Sequence, residues 1–98
     1  MKYLHTMIRV NNLEKSLDFY CKALGLAELR RKEVPSGRFT LVFLAAPESP
    51  EAQLELTYNW DPEDYQGGRN FGHVAFAVDN IYEKCQQLVD HGVTILRP

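Results

Sequence analysis

Two histidines and one glutamate hold the most chemistry in this sequence: His5, Glu55 and His73. Imidazole nitrogen and carboxylate oxygen are common donors to a divalent transition metal, and a set of three leaves positions open for water or substrate. Each of the three falls on a stretch that reads as a β-strand. His5 shares the mixed face of its strand with Met7 and Arg9, so imidazole and guanidinium point the same way. Glu55 stands mid-strand between Leu54 and Leu56, an unusual place for a carboxylate unless its face meets solvent or a site. His73 shares its face with Ala75 and Ala77, whose small side chains leave room above a sheet. Ordinary roles are also open to all three: a strand histidine often serves as a hydrogen-bonded core or surface residue, and a strand glutamate as a solvated one.

The elements that must position these residues follow from periodicity. Residues 3–10 alternate, with Leu4, Thr6, Ile8 and Val10 on one face and Tyr3, His5, Met7 and Arg9 on the other. Asn11-Asn12 is a helix-cap signal, Leu13, Leu17, Tyr20 and Leu24 recur at helical spacing, and Gly25 is a stop. Residues 26–33 read as a strand, Val34-Pro35-Ser36-Gly37 as a turn, and Phe39, Leu41 and Phe43 alternate along a further strand, which predicts a hairpin. After the break at Ala46-Pro47-Glu48-Ser49-Pro50, Leu54, Leu56 and Tyr58 alternate with Gln53, Glu55, Thr57 and Asn59. The result is a βαβββ module over residues 3–59. Residues 60–70, with Asp61-Pro62-Glu63-Asp64 and Gly67-Gly68, have the composition of a linker.

From Phe71 the pattern begins again: a strand over residues 71–78, a cap at Asp79-Asn80, a helical stripe of Ile81, Cys85, Leu88 and Val89, a stop at Gly92, and a strand over residues 93–96. A shift of 68 residues places His5 on His73, Val10 on Val78, Asn12 on Asn80 and Leu13 on Ile81, and brings Gly25 within one residue of Gly92. This reads as a duplication, and it makes His5 and His73 equivalent across a pseudo-two-fold axis. A complete second copy would run to about residue 127, with the counterpart of Glu55 at about residue 123. Residues 71–98 are therefore the first part of a second module, and one domain spans residues 1–98.

Composition excludes several functional classes. Eleven Lys and Arg against thirteen Asp and Glu give a net charge of −2, without the positive footprint that nucleic acid or an anionic membrane requires. The longest apolar runs, such as Leu41-Val42-Phe43-Leu44-Ala45-Ala46, fall far short of the roughly 20 residues of a membrane span. Met1-Lys2-Tyr3-Leu4-His5 has no export signal, so a cytoplasmic location is expected. Cys21 and Cys85 are too few for a disulfide framework and read as buried thiols. Arg30-Arg31-Lys32 reads as a solvated strand end, Trp60 with Tyr65 as a cover for the linker, and His91 as a residue at a helix C-terminus, facing its dipole.

Four stretches together bear a family resemblance: His5-Thr6-Met7-Ile8-Arg9-Val10; Ser16-Leu17-Asp18-Phe19-Tyr20 with Leu24-Gly25-Leu26; Leu54-Glu55-Leu56-Thr57-Tyr58-Asn59-Trp60; and Phe71-Gly72-His73-Val74. The chain resembles the glyoxalase I family, the lactoylglutathione lyases of the vicinal oxygen chelate superfamily. That resemblance implies an α+β fold of paired βαβββ modules, here with an incomplete second module, in a homodimer whose metal sites are shared between subunits. It implies a metal-dependent isomerisation of the hemithioacetal of methylglyoxal and glutathione to S-lactoylglutathione. His5, Glu55 and His73 match three of the four metal ligands, and Arg9, Asn59 and Arg69 match positions that bind glutathione. The fourth ligand, a second glutamate that is also the general base, has no counterpart in this chain, which leaves Glu55 as the one matched catalytic carboxylate and puts turnover in doubt. The 18-residue step from Glu55 to His73 resembles the short bacterial class, which implies Ni2+ or Co2+ in preference to Zn2+.

Two other classes fit the same fold. A non-catalytic ligand-binding module would take its ligand without metal at His5, Glu55 and His73. Another metal-dependent member, an epimerase or an extradiol dioxygenase, would keep the metal and differ in substrate; the stretch from Leu54 to Trp60 argues against it.

Overall fold

The computed structural model describes residues 1–97. Backbone packing divides the chain into two units, one spanning Met1–Tyr65 and a second beginning at Gln66.

In the first unit, strand β1 (His5–Val10) leads into a helix that begins as α1 (Leu13–Leu17) and continues as a π-helical stretch, Asp18–Ala23. Strands β2 (Ala27–Val34), β3 (Phe39–Ala45) and β4 (Gln53–Asn59) follow. The sheet has the order β1-β4-β3-β2, with β1 parallel to β4 and the other pairs antiparallel. The expected βαβββ order is therefore present, and β1 has β4 as its one neighbour. The first strand starts at His5 rather than Tyr3, because its ladder begins where His5 meets Gln53.

Asn12 caps the helix as its sequence suggests, accepting a bond from the Lys15 N–H at 3.0 Å. The second half of the helix departs from the expected α geometry. The Leu24 N–H reaches back five residues to the Phe19 carbonyl, at 2.9 Å. Gly25, at φ 89°, then ends the helix, and the Leu26 N–H closes onto the Tyr20 carbonyl at 2.9 Å. The wider turn still brings Leu13, Leu17, Tyr20 and Cys21 onto one side, packed against the core.

That core lies on one face of the sheet: Val42, Leu44, Leu54 and Leu56 with Leu26, extended by Ile8 and Val10. Alternation sends the next residues to the other face. There the registers align Met7 with Glu55, Glu55 with Phe43 and Phe43 with Arg30 across all four strands. One irregularity sets the β2 part of this row, since Glu28 pairs with Leu44 but Arg30 with Phe43, so Leu29 is an extra residue in a β-bulge.

The β2–β3 turn comprises Pro35, Ser36, Gly37 and Arg38. A Cβ on Gly37 would run into the Phe39 ring, which would have to move to admit it. Arg38 takes the left-handed conformation at φ 56°, a strain held by its carbonyl, which accepts the Trp60 N–H at 2.9 Å, and by its guanidinium, which meets the Asp61 carboxylate at 2.8 Å.

The second unit holds helix α2 (Ile81–Asp90), capped by Asn80, whose side chain accepts from the Tyr82 and Glu83 N–H groups at 3.0 and 3.2 Å. His91 is its C-cap residue, and Gly92 follows at φ 87°. Residues 71–78 and 93–96 are not strands, contrary to their alternating pattern. The reason is topological. A strand persists through its hydrogen-bonded neighbour; β1 has β4, whereas residues 71–78 have no paired strand among the described residues. Phe71, Val74, Phe76 and Val78 are consequently exposed, at 64, 46, 43 and 40%. Cys21 and Cys85 are free thiols and half-buried rather than buried. None of the described helices is long and apolar enough to cross a membrane.

Candidate metal and substrate site

The face of the sheet opposite the core gathers the polar groups. Parallel pairing of β1 with β4 sets His5 beside Gln53 and Met7 beside Glu55, so the imidazole reaches diagonally to the carboxylate. His5 Nε2 lies 3.6 Å from Glu55 Oε1. The glutamate side chain is 11% exposed and the histidine 34%, so this pair opens to solvent from the imidazole side.

Glu55 is a buried carboxylate with one neutral hydrogen-bond donor, the Thr57 hydroxyl, which donates to Oε2 at 3.2 Å. A buried charge needs a counter-charge or a full set of donors. Its Oε1 faces Nε2 of the His5 imidazole, beyond hydrogen-bond distance at 3.6 Å. Bonds of roughly 2.0–2.2 Å from a divalent ion place neighbouring donor atoms about 3.0–3.5 Å apart. The observed separation therefore needs to close by a few tenths of an ångström to admit a metal between them, and the residues present fit such an ion. Thr57 would hold the far oxygen of the carboxylate and fix its orientation. Among the described residues, no group of three or more His, Cys, Asp and Glu is gathered to hold a metal; the first unit supplies this pair, and His73 belongs to the second unit, in its exposed and irregular stretch.

The other expected site residues divide the same way. Arg9 is exposed on the His5 face, where it pairs with Thr57. Asn59 ends β4 half-buried, and its amide donates to the Tyr65 hydroxyl at 3.1 Å. Arg69 is exposed in the second unit.

Sequence reasoning missed three contributors. Thr57 was visible as a polar face-mate of Glu55, two residues on. Phe43, 3% exposed, stands across from Glu55 and meets the His5 ring edge to face, with centroids 5.3 Å apart and planes at 77°. Arg30 is exposed, as expected of a solvated strand residue, and it also lies over the same Phe43 ring, 3.7 Å from its centroid. Its neighbour Arg31 pairs with Glu28 at 2.8 Å. Trp60 likewise turns to the sheet, where its indole N–H donates to the Thr40 hydroxyl at 2.9 Å, instead of covering the linker.

Comparison with known proteins meets this arrangement along the whole chain. The lactoylglutathione lyase of Neisseria meningitidis is 51% identical over 98 residues, 99% of this chain and 71% of the relative. The lactoylglutathione lyase of Escherichia coli O157:H7 is 44% identical over the same length, 73% of its own. Among solved structures, the glyoxalase I of Leishmania major, described as trypanothione-dependent, superposes with a TM-score of 0.84 at 40% identity, covering 94% of this chain and 67% of that one. Residues 2–98 match the family model of the Glyoxalase/Bleomycin resistance protein/Dioxygenase superfamily, and the chain belongs to that superfamily.

Proposed function

We propose that this chain is a lactoylglutathione lyase, isomerising the hemithioacetal of methylglyoxal and glutathione to S-lactoylglutathione. The observation that carries this reading is the His5–Glu55 pair, a nitrogen and a carboxylate oxygen set at 3.6 Å on the open face of the sheet, in a chain whose relatives matched from end to end are lactoylglutathione lyases.

In this reading His5, Glu55 and His73 hold a divalent ion, Ni2+ or Co2+ in preference to Zn2+, which supplies Lewis acidity to the charge that develops on the substrate's two oxygens. Arg9 and Arg69 bind the glutathione carboxylates, and Asn59 offers its amide to the peptide. Thr57 holds Oε2 of Glu55, leaving Oε1 toward the site. The reaction moves one proton between adjacent carbons and needs a carboxylate base. The residue suited to it is the counterpart of Glu55 expected at about residue 123, by the repeat; within these 98 residues Glu55 is the matched carboxylate. The protein acts in the cytoplasm as a homodimer with sites shared between subunits, with neither nucleic acid nor membrane as partner. Supporting the dimer, the sheet edges β1 and β2 have no further strand partner among the described residues, and the apolar side chains of Phe71, Val74, Phe76 and Val78 are exposed.

The test is thioester formation from methylglyoxal and glutathione with added Ni2+ or Zn2+. This chain should bind metal and turn over slowly, and a chain extended to the full length of the Neisseria relative should turn over fast. Absence of thioester from the extended, metal-loaded protein overturns the assignment.

A further inference from the structure

Arg30 occupies a position that its sequence neighbours do not explain. In a regular ladder, Leu29 would stand opposite Phe43 and Arg30 opposite Val42, on the core face. The extra residue at Leu29 shifts the pairing by one, so Arg30 meets Phe43 on the face that holds His5 and Glu55. Bulges recur beside functional sites because they re-aim a side chain in this way.

The Phe43 ring is the platform. Buried at 3% exposure, it has the guanidinium carbon 3.7 Å from its centroid, and it also meets the His5 ring edge to face. Stacking uses the face of the guanidinium and leaves its in-plane N–H donors available. Those donors have no ion-pair partner among the described residues, whereas Arg31 pairs with Glu28 and Arg38 with Asp61, each at 2.8 Å. Arg30 is exposed, so these donors are accessible from solvent on the face that carries His5 and Glu55, where a cation would attract an anionic group brought by the substrate.

We propose that Arg30 is a specificity-determining residue of this site, binding a carboxylate of the thiol substrate, an inference that rests on the lyase reading above. The bulge aims it, Phe43 holds it flat, and its forked donors match a carboxylate in two-point fashion.

The experiment measures binding of S-methylglutathione, an unreactive thioether that keeps both carboxylates, and of its diethyl ester, by calorimetry with the Ni2+-loaded chain. Arg30→Gln should weaken binding of the acid about tenfold, the scale of one lost charge-assisted contact, and leave binding of the diester unchanged. Arg30→Lys should restore part of the loss, and Ni2+ content and the thermal midpoint should match the unsubstituted chain. Equal weakening of acid and ester, or no weakening of either, overturns the role of Arg30 while leaving the lyase reading in place. Failure of the unsubstituted chain to bind S-methylglutathione at all overturns both.

Discussion

Glu55, in the proposed metal site, sets its proposed function against stability. Its carboxylate is buried with one neutral donor, an arrangement that favours a bound cation and penalises the empty site. Glu55→Gln should therefore lower Ni2+ affinity by 100-fold or more, on the order seen when metal-site partners are lost, yet leave the metal-free protein melting at or above the unsubstituted midpoint. Competition with a coloured chelator and a thermal melt in chelator check the two halves. A lower metal-free midpoint would mean that the carboxylate contributes to the fold instead. Two ionisable groups on the packed side of the helix give a second prediction. Burial raises Tyr20 above its usual 10.0, and raises Cys21 above 9.0 with help from Glu28 and against the pull of Arg31. Both bind their protons more tightly when folded, so their stabilising contribution is complete below the unfolded values and lost as pH rises through the folded ones. The melting temperature should fall above about pH 9, and the alkylation rate of Cys21 in a Cys85→Ser background should rise at a higher pH than that of a free thiol. The alternation at His5 and at Glu55 made both candidate ligands legible in the sequence. Phe43 and Arg30 were not legible as site residues, because one reads as core and the other as surface until cross-strand register joins them.

At the scale of elements, caps, stops and the β2–β3 hairpin were readable, and the pairing of β4 with β1 and β3 was not. Asn12, Asn80, Gly25 and Gly92 act through their immediate neighbours, so composition reveals them. Asn80→Ala should cost about 1 kcal/mol of local helix stability, seen as roughly fivefold faster amide exchange within α2 and little change in the sheet. Residues 71–78 alternate as well as β1 does, but alternation records a preference for an extended chain and not the presence of a neighbour. Their amides should exchange near unprotected rates in this chain, while those of β4, paired on both sides, exchange slowest. Protection of 71–78 in a dilute monomer would contradict the topology described here. The bulge at Leu29 and the π-helical turns at Asp18–Ala23 were equally invisible, since each inserts an offset that no single-residue preference specifies.

For the molecule as a whole, one sheet separates two duties. Leu44, Leu56 and Val42 are fully enclosed on the helix side, and Leu56→Ala should destabilise by about 2–5 kcal/mol, read from denaturant titration, without altering the donor geometry of His5 and Glu55 beyond what unfolding explains. The repeat of strand, cap, helix and stop made the duplicated architecture legible from sequence, because both copies obey the same local rules. The two-faced sheet also leaves a mark that genetics can read. In a comprehensive substitution library, damage along β1, β3 and β4 should alternate residue by residue between loss of cellular abundance and loss of detoxifying activity at normal abundance. Along β2 that alternation should change phase at Leu29, and deletion of Leu29 alone should restore an unbroken alternation while Arg30 stays opposite Phe43 and Arg31 opposite Val42.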